Sequence, residues 1–169
     1  MDNANRGTVV LGAFLVSIGV IFLVLNLIPG VDIGKTWPVI FFFLAAAFYL
    51  PAFLWQGARR GLAGLFIPGS IMLILGLIFV YDVLTSDWAS WAYAWLLIPA
   101  GVGLGLTLGS TVGGWGRGPS QTGLWLMGVD VGLFALIATL FGGNTAIRTF
   151  GPLVIILAGV LILVRVFRK

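Results

Sequence analysis

Long apolar blocks alternate with short polar clusters along the whole chain. A helix needs about 20 mostly apolar residues to cross a bilayer. Six blocks meet or approach that length: Thr8–Ile28, Trp37–Trp55, Leu62–Tyr81, Trp91–Leu108, Thr122–Phe141 and Phe150–Phe167. The clusters between them carry turn and water signals. Pro29-Gly30 is followed by Asp32 and Lys35, and Gln56 to Gly61 holds Arg59 and Arg60. Asp82 to Ser90, the Gly-, Ser- and Thr-rich stretch Ser110 to Gln121, and Gly142-Gly143-Asn144 complete the set. Unpaired backbone groups are costly in hydrocarbon, so loops belong at these polar positions. Thr8–Ile28 exceeds a signal-peptide core and shows no small-residue cleavage pattern, so it reads as a retained helix. The expectation is an all-α integral membrane protein, with residues 1–169 forming a single domain of six transmembrane helices in three helical hairpins.

Lys and Arg give this expectation an orientation. Arg6, Arg59, Arg60, Arg117, Arg165, Arg168 and Lys169 fall on one side of the six spans, Lys35 and Arg148 on the other. The positive-inside rule places both termini in the cytoplasm of a multi-pass bacterial inner-membrane protein. Asp32, Asp82 and Asp87 fall on the basic-poor side. Trp37, Trp88, Trp91 and Trp95 then lie near the outer interface, with Trp55, Trp115 and Trp125 near the inner one, as interface anchors or as binding surfaces.

Composition sharpens the class. Hydrophobic residues make up 60% of the 169 and charged residues 8%, against roughly 25% charged in soluble domains. That balance also excludes intrinsic disorder. The excess of Lys and Arg belongs to loops on this reading, so nucleic acid is not an expected partner. With no Cys and no His, the chain alone offers no disulfide, zinc–thiolate site, iron–sulfur ligand, His- or Cys-held haem, or His-based catalytic group. A bound lipid, quinone or pigment could still pack against its 13 Phe and 7 Trp.

Of the five acids, only Asp130 falls well inside an apolar block. A charge there costs roughly 3 kcal/mol, so Asp130 should face protein or water. It is a proton, cation or ligand site, or a carboxyl that holds helices together. Gly128 and Gly132 form a GxxxG pair, which lets another helix approach closely. Asp130 lies two residues from each, on the opposite helix face. The fifth helix should therefore be central, or contact a second protein. Gly101, Gly105 and Gly109 form a four-residue repeat with Gly103 between them, while Gly12 and Gly19 recur as Gly69 and Gly76. These stripes read as packing surfaces, since no phosphate-loop pattern contains them. Pro51, Pro68 and Pro99 should kink or end their helices locally.

The chain also carries an internal repeat. The first and third blocks align with Gly12 over Gly69, Gly19 over Gly76, Ile21 over Ile78 and Phe22 over Phe79. The second helices of the hairpins start alike, at Trp37-Pro38-Val39-Ile40, Trp95-Leu96-Leu97-Ile98 and Gly151-Pro152-Leu153-Val154. Two-helix units enter a membrane in the same direction, unlike the inverted repeats of many transporters.

Arg6-Gly7, Gly12, Gly19, Phe22-Leu23, Asn26-Leu27 and Trp37-Pro38 together resemble the helical pair of LiaI/LiaF-like bacterial membrane proteins. The resemblance is best over residues 6–50. It implies a role in sensing envelope stress or restraining a partner kinase. The residues themselves favour a non-enzymatic accessory subunit, with membrane lipids and other membrane proteins as partners. A transporter or channel using Asp130 is the remaining alternative.

Overall fold

The computed structural model describes residues 32–141 throughout, together with isolated helical positions within 12–27 and 152–160. Seven α-helices follow one another in the continuous part. They are α1 (Ile33–Thr36), α2 (Val39–Leu54), α3 (Arg59–Leu62), α4 (Phe66–Thr85), α5 (Trp91–Ala94), α6 (Leu97–Gly113) and α7 (Arg117–Phe141). A short 3-10 turn at Gln56–Ala58 leads into α3, a second at Ala63–Leu65 joins α3 to α4 in one helical arm, and another at Trp88–Ser90 leads into α5.

Proline and glycine explain the punctuation. Pro68 and Pro99 each stand at the third position of a helix, where an intrahelical N–H is not required. Pro51 sits in the last turn of α2, where the Trp55 N–H closes on the Pro51 carbonyl at 3.0 Å. α6 ends where Gly114 takes the left-handed conformation at φ 64°. That geometry lets the Trp115 N–H reach back to the Ser110 carbonyl.

The arms pack as antiparallel neighbours in the order α2, α4, α6, α7, with α6 between α4 and α7. Small residues set the spacing. A Cβ on Gly109 would lie 2.8 Å from the Ala63 carbonyl oxygen, and one on Gly101 3.1 Å from that of Ser70. A Cβ on Gly105 would overlap the Ile67 backbone, so these three glycines put the α6 backbone directly on the α4 arm. Gly103 looks the other way: its Cβ would lie 2.5 Å from the Gly123 carbonyl oxygen of α7. Gly69 and Gly76 receive Tyr49 and the Phe41–Phe42 pair of α2. The buried hydrophobic residues are accordingly mostly alanines, with Phe66, Ile78 and Tyr93. Larger apolar side chains such as Leu84, Leu140 and Phe141 face outward.

This architecture corrects the six-helix expectation. Among the described residues, two helical arms are long and apolar enough to cross a membrane, Gln56–Thr85 and Arg117–Phe141. A third exists only if Trp88–Ala94 and Leu97–Gly113 count as one, and they are bent by 58°. The second expected span is the 16-residue α2. At about 1.5 Å per residue it rises about 24 Å, short of a hydrocarbon core of about 30 Å. The first and sixth expected spans lie outside the continuously described residues. Six transmembrane helices in three hairpins is therefore not the architecture found. The multi-pass inner-membrane placement with both termini cytoplasmic, and the accessory-subunit and transporter roles built on it, rested on that count and are set aside with it, as is the sensor role that the resemblance implied. The physical reason lies in the apolar blocks. Block length alone does not distinguish a straight span from a short helix or a broken one.

A second correction concerns Asp82. It does not open a water-facing loop. α4 runs on to Thr85, and Asp82 is fully buried one turn beyond Ile78. The chain then turns through Ser86, whose φ of 56° is left-handed, and the Trp88–Ser90 turn folds back over the end of α4.

Candidate functional site

The helices that touch backbone to backbone at Gly105 and Gly103 separate toward the other end of the bundle. The bend between α5 and α6 opens a cavity of about 300 Å³ there. Ile74, Leu77, Ile78 and Tyr81 of α4 form one wall. Ser90, Tyr93, Ala94 and Leu97, on either side of the bend, form a second, and Phe134 of α7 closes the third. Tyr93 and Phe134 stand with ring centroids 5.7 Å apart. The surface that the wall opens to the cavity is almost wholly apolar, and the Ser90 and Tyr93 side chains are buried behind it.

The buried polar atoms of this part of the bundle have unequal partners. The Ser90 hydroxyl donates to Oδ1 of buried Asp82. This bond ties the start of the α5 segment to the end of α4. The Tyr93 hydroxyl is buried and has no hydrogen-bond partner in the protein. Oδ2 of Asp82 and Oδ2 of Asp130 are likewise buried without one. A buried polar group left unpaired costs about 1–3 kcal/mol, so such groups call for an explanation.

Asp130 faces inward and is 8% exposed. It lies between Gly123, which packs on Gly103, and Phe134, which packs on Tyr93. That register places it at the level of the break before α6. It does not line the cavity. Gly128 and Gly132, on the other face of α7, would meet nothing within 4 Å if each gained a Cβ. No helix stands against them among the described residues, and Gly123 makes the close approach instead. Gly12 and Gly19 are also open.

The tryptophans divide into two groups. Trp37 and Trp91 pack round Phe79 at centroid distances of 4.7 and 5.4 Å. The Trp115 indole N–H donates to the Arg60 carbonyl at 2.8 Å. Trp55, Trp88, Trp95 and Trp125 are about half exposed or more. Of the basic residues, Arg59 donates from Nε to the Ala52 carbonyl at 3.2 Å, pinning α3 to the end of α2, and Arg117 opens α7. Arg6, Arg165, Arg168 and Lys169 lie outside the described residues.

The cavity residues Tyr93, Ser90 and Phe134 had no sequence signal of their own. Tyr93 sits in an aromatic-rich run with Trp91 and Trp95, and only the bend turns it inward. No group of three or more metal-ligating side chains occurs among the described residues. No family model, curated protein or solved structure matches the chain, so no relative links it to the LiaI/LiaF-like proteins.

Proposed function

We propose that this chain binds a small apolar molecule in the cavity between α4, the α5–α6 bend and α7. One observation carries the reading: an apolar cavity of about 300 Å³ beside α6, a helix that elsewhere meets α4 and α7 backbone to backbone. An apolar cavity of about 150 Å³ suffices to take up benzene. A one- or two-ring compound, or a short branched hydrocarbon chain, fits the larger volume. The role is binding rather than catalysis, because the lining carries no carboxylate, amine or imidazole to move a proton. Lipid is the partner class that the outward Leu84, Leu140 and Phe141 would meet.

The test is photolabelling of the full chain, purified in mild detergent, with a decyl diazirine. The expected result is adducts on peptides containing Tyr81, Tyr93 and Phe134, lost when Ala94→Trp or the more exposed Leu77→Trp fills the cavity. Labelling spread over Leu84, Leu140 and Phe141, and unchanged in both variants, would reject the proposal.

A further inference from the structure

We infer that the end of the bundle opposite the cavity binds anionic phospholipid headgroups, with the guanidinium groups of Arg60 and Arg117, and Arg59 beside them, taking the phosphate. The inference is independent of the cavity and of what fills it.

Tertiary packing brings these arginines to one place. Gly101, Gly105 and Gly109 set α6 antiparallel to the α4 arm, and Gly103 and Gly123 set it antiparallel to α7. Both long arms, Gln56–Thr85 and Arg117–Phe141, therefore begin at the same end. Trp115 fixes the detail: its indole N–H donates to the Arg60 carbonyl, and the chain then opens α7 at Arg117.

The positive charge there has no counter-charge close by among the described residues, whose acids are Asp32, Asp82, Asp87 and Asp130. Asp82 and Asp87 belong to the far end of the α4 arm, about 30 Å or more from Arg60 at about 1.5 Å per residue, and Asp130 lies about 20 Å along α7 from Arg117. Asp32 is removed by the length of α2. Each separation exceeds the screening length of about 8 Å. Backbone acceptors at this end are already used. The Ala52, Pro51 and Ser110 carbonyls, near the ends of α2 and α6, take N–H groups of Arg59, Trp55 and Trp115. α7 has no acid in its first turn, so the positive end of its dipole adds to the same sign.

The apolar surroundings decide the kind of anion. Phe53, Leu54 and Trp55, which precede the arginines, are 51%, 66% and 59% exposed. A soluble phosphate makes no use of that apolar collar. A lipid surface matches it, because aromatic rings settle at headgroup level while basic side chains reach the phosphates. Guanidinium groups then hold phosphate oxygens through paired, charge-assisted hydrogen bonds.

The test mixes the full chain, in mild detergent, with equal amounts of phosphatidylglycerol and phosphatidylcholine bearing the same acyl chains. Native mass spectrometry counts the lipid retained. Phosphatidylglycerol should be retained in excess, and the ratio should fall about fivefold in Arg60→Gln and in Arg117→Gln, the effect of one arginine at an anionic lipid surface. Both side chains are exposed, so each variant should keep the parent's thermal unfolding midpoint, and the two are read separately. Lys35→Gln removes the same charge at the other end of α2 and should leave the ratio unchanged. Equal retention of the two lipids overturns the inference. So does a ratio that both arginine variants keep, or one that Lys35→Gln lowers as far as they do. Selection abolished by millimolar glycerol 1-phosphate would assign the arginines to a soluble phosphoester and overturn it too.

Discussion

The two ends of the α4–α6–α7 unit are built from the same helices and behave oppositely. At one end, Gly101, Gly105 and Gly109 press α6 onto the α4 arm, and Gly103 and Gly123 press it onto α7. No side chain separates the backbones there, and contact of this kind draws its stability from dispersion and close packing. At the other end, the 58° bend carries Tyr93 and Ala94 away from the axis of α6. Phe134 and Tyr81 stand where glycines would have closed the gap, and the cavity remains. The tight end holds the helices in register, which allows the loose end to stay open without collapse. Rigidity and vacancy are thus divided along one helix by where its glycines stop.

The largest effect should come from closing off the tight end. Gly105→Val places a branched side chain into the Ile67 backbone, which no rotamer change can relieve. The expected loss is about 3 kcal/mol or more, read as a lowered thermal unfolding midpoint of the full chain. A midpoint unchanged from the parent would mean that α6 and α4 are not in backbone contact.

The tie across the loose end should matter less. Asp82→Ala leaves the buried Ser90 hydroxyl without its acceptor, and the expected cost is about 1–3 kcal/mol. Asp82→Asn keeps an acceptor oxygen and should recover most of it. A neutral Asp82→Ala would return Asp82 to the role of an ordinary exposed loop acid.

Smallest of all is the open face of α7. Gly128→Ala meets nothing within 4 Å, so helix propensity alone should act, raising stability by up to about 1 kcal/mol. Measured destabilisation at Gly128, with Gly132→Ala behaving alike, would reveal a partner covering that face and would extend the tight-packing principle to it.

Much of the local structure is legible along the chain. The apolar blocks locate much of the helix, and the glycine-rich cluster marks the turn near Gly114, whereas the polar run Gln56–Gly61, expected as a loop, is helical and opens the Gln56–Thr85 arm. The four-residue spacing of Gly101, Gly105 and Gly109 identifies a packing stripe because that spacing keeps residues on one helix face. Gly128 and Gly132 have the same spacing and no described neighbour, since spacing describes a face and says nothing about what stands opposite. Asp82 illustrates the complementary failure. An acid beside a run of polar residues reads as a loop, yet the turn at Ser86 brings Ser90 back to it.

By itself, then, the amino-acid order determined that the described part of the chain is helical, roughly where its helices lie, though the arms run several residues past the expected ends at Gln56, Thr85, Gly113 and Arg117, and which faces are smooth enough for close approach. These follow from interactions between near neighbours: backbone hydrogen bonding, proline geometry and side-chain size. Tertiary structure alone decided how many apolar blocks form straight helices of spanning length, which glycine stripe finds a partner, and that Tyr93, Ser90 and Phe134 share one cavity. Those outcomes depend on a bend angle and on contacts between helices far apart in the chain, and no local pattern encodes where two rigid bodies will part.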